Sequence, residues 1–253
     1  MERPISKRPC LNSLSRSDTE LEGWVKYSLG GRVKATVIFL CVVFSMSGCS
    51  YLGFGKKDRQ ASPEQLMNKG MSEFRKGDYK EAVELFQKLK DRYPYSKLAV
   101  QAELKLADSL FKRKEFEEAV EAYMEFERLH PRNEAVPYVI YQQGMCHFLR
   151  MGKIDRDQNS AKNALKEFER LQRKFPDDPF SMMAERRIRK CISNLAEHEF
   201  YVGRFYYKSG HYIAALKRFE YLINHYPDAG QYEETLVYIS KCKQKLAEQK
   251  ADS

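Results

Sequence analysis

The sequence predicts an all-α fold, a solenoid of about five degenerate helical hairpins behind a secretion signal. Two observations predict it. A pattern of small and aromatic residues recurs four times in the second part of the chain, and a short apolar run ending in a cysteine precedes it. The predicted boundaries are a precursor segment at 1–48, a lipidated tether at 49–62, a repeat domain at 63–249 and a short tail at 250–253.

The apolar run from Ala35 to Met46 has 12 residues, whereas a membrane-spanning helix needs about 20. Arg32 and Lys34 precede it, and a short apolar run behind a cationic flank is typical of a signal peptide. Residues 1–31 are either an extension from a misassigned start or a long n-region. We exclude them from the fold prediction.

The run ends in Met46-Ser47-Gly48-Cys49, which resembles the bacterial lipobox. The resemblance implies cleavage between Gly48 and Cys49. Cys49 then becomes the first mature residue and carries N-acyl and S-diacylglycerol lipid. Several acyl chains anchor a protein stably, whereas one chain does so only marginally. The alternative is a short buried helix with an incidental cysteine.

Four segments share one pattern: a small residue, an aromatic residue four positions later, and then an alanine, an aromatic residue and a proline. In the first two copies each marked residue recurs after 37 positions. The small residues are Gly70, Ala107, Gly144 and Gly203. The alanine and aromatic pairs are Ala82 and Phe86, Ala119 and Tyr123, Ala164 and Phe168, and Ala215 and Phe219.

This pattern resembles the tetratricopeptide repeat, a pair of helices. A small residue lets the two helices approach closely, and Gly77 and Gly210 permit the tight turn between them. Ser62 and Pro63 are typical of a helix start. One repeat cannot cover its own apolar face, so we expect stacked repeats with a concave groove.

Two segments depart from the repeat. The third copy is interrupted by a polar insert that contains Asp155, Arg156 and Asp157. A helical run of roughly 30 residues then begins at Pro179. A last amphipathic helix, starting at Tyr232, is expected to cap the stack.

Composition excludes several classes of function. Of 44 basic and 35 acidic residues, 7 and 4 lie in the precursor, which leaves 37 minus 31, or +6, for the mature part. This mild excess contains no dense basic run of the kind that binds nucleic acid. Cys146, Cys191 and Cys242 cannot all pair with one another, and the histidines show no metal-ligand spacing. GxSxG, HExxH and P-loop motifs are absent from the sequence, so we expect no enzyme and no cofactor.

The lipobox, the 37-residue spacing and the insert "IDRDQNSAKNALKEFERLQRKFP" together resemble the BamD/ComL family of bacterial lipoproteins, over roughly 49–247. The resemblance implies a non-enzymatic scaffold of the outer-membrane β-barrel assembly machinery, lipid-anchored at the periplasmic face of the outer membrane. The implied partners are the POTRA domain of a BamA-like barrel protein, other assembly lipoproteins and unfolded outer-membrane proteins. The alternative is a pilotin-like repeat lipoprotein that assists a secretin or pilus component.

Two sets of residues are candidates for partner binding. Lys217 and Arg218 lie off the apolar line of their helix, and Arg218 matches a basic position of the family, which implies docking to the BamA-like protein. Helical phase predicts that five further residues face the concave groove: Met67, Met71, Leu104, Tyr138 and Tyr141. Such a groove suits an extended or helical peptide, and the family resemblance implies that this peptide belongs to an unfolded barrel client. The alternative is ordinary packing between repeats. Glu103 and Asp108 also fall near this face, where we interpret them as solvated acids.

Overall fold

The computed structural model describes residues 61–251, and within this range the chain forms nine α-helices and no strand. The helices are α1 (Pro63–Lys76), α2 (Tyr79–Arg92), α3 (Ala99–Lys112), α4 (Phe116–Leu129), α5 (Val136–Leu149), α6 (Asn159–Lys174), α7 (Pro179–Lys208), α8 (Tyr212–His225) and α9 (Tyr232–Ala251). The predicted all-α class is confirmed. The precursor segment and nearly all of the tether lie outside the described residues.

Each helix packs against the helix before it and the helix after it, as expected for a solenoid. Four hairpins result, α1–α2, α3–α4, α5–α6 and α7–α8. The fifth predicted repeat is represented by α9 alone, which extends to Ala251 and so includes the first residues of the predicted tail. The 30-residue α7 packs against α5 in addition to its neighbours α6 and α8.

Close approach of paired helices is confirmed at three of the four small residues. A Cβ built on Gly70 would lie 2.6 Å from Cε1 of Phe86. The same distance is 2.5 Å between Gly144 and Phe168, and a Cβ on Gly203 would lie equally close to the ring of the fourth copy. Each ring therefore packs directly on the backbone of the preceding helix.

The helix starts and turns follow the predicted residues. Ser62 accepts a hydrogen bond from the backbone N–H of Gln65, whose side chain in turn accepts from the Ser62 N–H, which forms a capping box. Gly77 and Gly210 adopt left-handed φ values of +86° and +77°. The equivalent turn of the second hairpin is made by Lys114, at φ +65°. Lys114 is the one residue other than glycine with positive φ within 61–251.

The core is a series of separate clusters, each of which contains the aromatic ring that the repeat pattern marks on a second helix. The four alanines of the repeat pattern are completely buried beside these rings. Cys146, Cys191 and Cys242 are buried free thiols, and they lie in three different clusters. Burial raises the pKa of the Cys146 and Cys191 thiols to about 12.

The insert between α5 and α6 is a closed loop and not an extended excursion. The buried amide of Gln158 donates to the carbonyl oxygens of Lys153 and Arg156, at 3.1 and 2.8 Å. On the outer side of this loop the charged residues Asp155, Arg156 and Asp157 are exposed, as the polar insert predicted.

Candidate functional site

The insert loop lies against the middle of α7. The Nδ1 atom of His198 is 2.6 Å from the carbonyl oxygen of Ile154, and Cys191 Sγ is 3.8 Å from Met151 Sδ. Ile154 also forms one wall of an open cleft of about 500 Å³ along the second half of α7. The segment that interrupts the repeat pattern therefore builds a surface feature that a regular repeat would lack.

Arg218 on α8 makes an ion pair within the chain. Its Nη1 lies 3.0 Å from Oε2 of Glu199 on α7. The Arg218 side chain is 45% exposed, whereas that of Glu199 is only 10% exposed. Arg218 thus compensates a nearly buried carboxylate, which the sequence pattern did not reveal, and it keeps part of its guanidinium at the surface.

Lys217 is exposed and forms no ion pair with any residue between 61 and 251. It lines a shallow cleft of about 360 Å³ with Ile213 from its own helix and Leu246 from α9. Ile213 is also an exposed apolar residue. This end of α8 therefore combines a free cation with unpaired apolar surface.

The predicted groove residues of the first two repeats are mainly packing residues. Met67 is 5% exposed and belongs to the core cluster of α1 and α2. Met71 and Leu104 are half-buried and pack against core clusters. Its burial leaves little of Met67 for a peptide to contact.

A residue of α7 packs over the predicted groove residues of the third repeat, Tyr138 and Tyr141. The ring of Phe180, in the first turn of α7, lies 5.3 Å from the ring of Tyr138 and 5.5 Å from that of Tyr141. Tyr141 is only 6% exposed as a result. Helical phase along α5 could not predict this, because the covering ring comes from a helix that begins far along the chain.

The interpretation of Glu103 and Asp108 as solvated acids is wrong. The Glu103 side chain is only 15% exposed, and its Oε2 lies 2.7 Å from Nε2 of His130.

Asp108 is buried more deeply. It is 6% exposed, and Oδ1 accepts hydrogen bonds from the hydroxyls of Tyr123 and Tyr138, at 2.8 and 2.7 Å. Lys105 Nζ lies 2.7 Å from Oδ2. Burial and the nearby Asp108 charge raise the pKa of both tyrosines. The sequence does indicate a buried polar partner at this place, because Tyr123 stands where the first copy has Phe86.

A second polar network joins the second and third repeats. Arg170 on α6 binds Glu127 on α4 through two hydrogen bonds, of 2.7 and 3.1 Å. Gln143 and Lys174 also donate to Glu127. Burial alone would raise the pKa of Glu127, but these hydrogen bonds and the Arg170 charge lower it below its ordinary value. The network links three helices around one carboxylate.

Among residues 61–251, no three His, Cys, Asp or Glu side chains are arranged to hold a metal ion. In the same range no helix is both long enough and apolar enough to cross a membrane. Gly48 and Cys49 lie outside the described residues, so lipidation stays a prediction.

Residues 59–253 match the family model described as YfiO, an outer membrane lipoprotein. The chain belongs to the YfiO family. Its relatives include the outer membrane protein assembly factor BamD of Neisseria meningitidis serogroup A, 30% identical over 228 residues, which is 85% of each chain. The BamD protein of Rickettsia prowazekii is 32% identical over 190 residues, 74% of each chain. The family resemblance drawn from the lipobox, the spacing and the insert is confirmed.

Solved tetratricopeptide repeat structures also align with this YfiO-family chain. The TPR2AB domain of yeast Sti1 in complex with an Hsp90 peptide aligns at a TM-score of 0.41, with 13% identity over 73% of this chain and 70% of that one. The repeat fold of this chain is established by its helical hairpins and by the glycine–aromatic contacts between their helices. The partner-binding roles of Lys217, Arg218 and the groove residues stay predictions.

Proposed function

We propose that this YfiO-family chain is an assembly factor for outer-membrane β-barrel proteins and acts as a non-enzymatic scaffold. The observation that carries the proposal is the family match over 59–253, together with relatives named as outer membrane protein assembly factors. The proposed location is the periplasmic face of the outer membrane, where lipid on Cys49 holds the chain. A stack of helical hairpins suits this role, because its extended surface can contact several partners at once.

The proposal extends to docking on the POTRA domain of a BamA-like barrel protein through α8. Arg218 uses Nη1 for Glu199, and a guanidinium has five N–H donors. Its exposed portion can therefore also bind a carboxylate of a partner. Lys217 and the exposed Ile213 lie on the same helix and would add charge and apolar contact.

Unfolded barrel proteins are the proposed clients of the first three repeats. Met71 and Leu104 keep part of their surface exposed, and methionine adapts readily to varied apolar partners. We assign Met67, Tyr138 and Tyr141 a supporting role behind this surface, because other side chains cover much of each. Other assembly lipoproteins complete the proposed set of partners.

The function is tested by depleting the protein in its native host and complementing with variants. Depletion should lower many outer-membrane barrel proteins together, whereas loss of a pilotin-like protein would affect a single secretion system. Wild type and Cys41→Ser should restore the barrel proteins and incorporate labelled acyl chains. Cys49→Ser should incorporate none, because serine cannot form the thioether. A decrease confined to one secretin would overturn the proposal.

Docking through Arg218 needs a variant that does not leave Glu199 unpaired. The single change Arg218→Glu would place two carboxylates side by side, one of them nearly buried, and is therefore a poor test. We propose Glu199→Gln/Arg218→Gln, with Glu199→Gln alone as the matched control. The double variant should bind the isolated POTRA region at least about tenfold more weakly than the control, which corresponds to about 1.4 kcal/mol. Equal affinities with unchanged circular dichroism would remove Arg218 from the interface.

A further inference from the structure

One face of α7 carries the same kinds of side chain twice, five helical turns apart. The first set is Met183, Arg186 and Lys190, and the second, 18 residues later, is Tyr201, Arg204 and Lys208. At 3.6 residues per turn, 18 residues return to the same side of a helix, about 27 Å further along its axis. Both sets therefore face the same direction on one rigid element.

Each set borders an open cleft. The first cleft, of about 470 Å³, lies at the start of α7, between Tyr141 and the adjacent residues Met182 and Met183. The second, of about 500 Å³, lies between Ile154 of the insert and the aromatic residues of the second half of α7. Met182 is 67% exposed and Phe205 60% exposed. Both clefts thus present apolar side chains that nothing between residues 61 and 251 covers.

The cations of this face have no acidic partner. Within residues 61–251, no carboxylate forms an ion pair with any of Arg186, Arg187, Lys190, Arg204 and Lys208. Arg187 and Arg204 lie instead against the rings of Phe148 and Phe200. Arg189, by contrast, pairs with Glu185 on the same helix. The face therefore carries five positive charges without an ion-pair partner among exposed apolar groups, and one carboxylate, Glu197, lies with them in the second cleft.

Two buried hydrogen-bond acceptors on or beside this face lack a donor. They are Oδ1 of Asn194, midway between the two sets, and Oε1 of Gln231, in the wall of the second cleft. No other buried side-chain nitrogen or oxygen of the described residues is without a partner. Both oxygens are buried, so N–H groups or hydroxyls of a partner reach them only if neighbouring side chains move.

We propose that this face of α7 binds one acidic partner polypeptide at both clefts simultaneously. The partner presents apolar side chains flanked by Asp or Glu at two points about 27 Å apart. A polypeptide suits the face better than a lipid surface, because the two apolar sites are separate clefts and not one flat patch. This binding goes beyond the proposed docking through Arg218, which belongs to α8.

The probe is a synthetic two-module peptide. Each module reads Asp-Glu-Phe-Leu-Asp-Glu, and a Gly/Ser linker of about 20 residues, with a root-mean-square span of about 25 Å, joins them. The full chain should bind this peptide at least about tenfold more tightly than a single module, because the second contact becomes intramolecular. A peptide with lysine in place of each acid should not bind. Equal affinities for one module and two would overturn the proposal, as would no detectable binding.

The assignment to α7 is tested with matched pairs of substitutions. Met182→Glu/Arg186→Glu and Phe205→Glu/Lys208→Glu should each reduce the two-module affinity to that of one module. The control is Met124→Glu/Arg128→Glu on α4, which changes an exposed methionine and arginine at the same spacing as the first pair. Circular dichroism checks folding, and an equal loss in the control would overturn the assignment. Binding to phosphatidylglycerol vesicles without peptide binding would make this a membrane surface and also overturn it.

Discussion

The first and second hairpins have equivalent positions 37 residues apart, yet different kinds of residue pack between the two helices of each hairpin. In α1–α2 the ring of Phe86 packs on Gly70, and the neighbouring Met71 belongs to the apolar surroundings. In α3–α4, alanine replaces the glycine at position 107, and Tyr123 replaces the phenylalanine, which adds a hydroxyl to the buried ring. Asp108 occupies the position equivalent to Met71. A carboxylate here is stable because two tyrosine hydroxyls and Lys105 satisfy it.

The comparison shows that residues in contact differ together between degenerate repeats. A hydroxyl added to the buried ring needs an acceptor, and Asp108 supplies it from the preceding helix. Conversely, a carboxylate in an otherwise apolar cluster would be costly without those donors. The turn differs as well, since Lys114 takes the left-handed conformation that Gly77 adopts in the first hairpin. Each of these differences can be tested separately.

The largest effect is expected from Asp108→Met, which imposes the residue of the first hairpin on the second. It leaves the hydroxyls of Tyr123 and Tyr138 without their acceptor, and we expect a loss of about 2–4 kcal/mol in the free energy of unfolding. Adding Tyr123→Phe should recover part of this loss, with a coupling of about 1–2 kcal/mol. Urea unfolding of the two single variants and the double variant measures the coupling.

The surface change Glu118→Ala, on the same hairpin, is the control and should shift stability by under about 0.5 kcal/mol. Strictly additive effects of the two substitutions would show that Tyr123 and Asp108 do not stabilise each other.

An intermediate effect is expected from Gly70→Ala, which brings the first hairpin to the residue of the second. The new Cβ would lie 2.6 Å from the Phe86 ring, so ring or helix must move. We expect a loss of about 1–3 kcal/mol from overpacking. Alanine in place of a mid-helix glycine would otherwise stabilise by about 0.5–1 kcal/mol. A higher melting temperature for the variant would therefore contradict the close approach of α1 and α2.

The smallest effect is expected from Lys114→Gly, which gives the second turn the residue of the first. A left-handed conformation costs residues other than glycine about 1–2 kcal/mol, and the greater freedom of glycine in the unfolded chain offsets part of the gain. We expect a net stabilisation of about 0.5–1 kcal/mol by thermal unfolding. Lys112→Gly, within α3, should instead destabilise by up to about 1 kcal/mol. Identical melting temperatures for the two variants would argue against strain at Lys114.

The repeat architecture was predictable because its determinants are local. The contact of Gly70 with Phe86 joins two consecutive helices of one hairpin, the glycine turns lie between such helices, and the helix from Pro179 follows from its own residues; the structure confirms all three. The candidate site was less predictable, because distant elements complete it. Phe180 covers Tyr141, Glu199 binds Arg218, and the insert reaches α7. No periodicity along a single helix reveals contacts of that kind.

Oxidation of the three buried thiols would be a marker of local unfolding in this chain. Thiolate is the form that oxidants attack, and at neutral pH a thiol with a pKa of about 12 contains almost none of it. Burial also raises the pKa of the Cys242 thiol, so we expect all three thiols to resist oxidation while their helices remain packed. They become reactive only when α5, α7 or α9 separates from its neighbours. The pattern of oxidised cysteines in molecules recovered from cells would thus identify which part of the solenoid had opened.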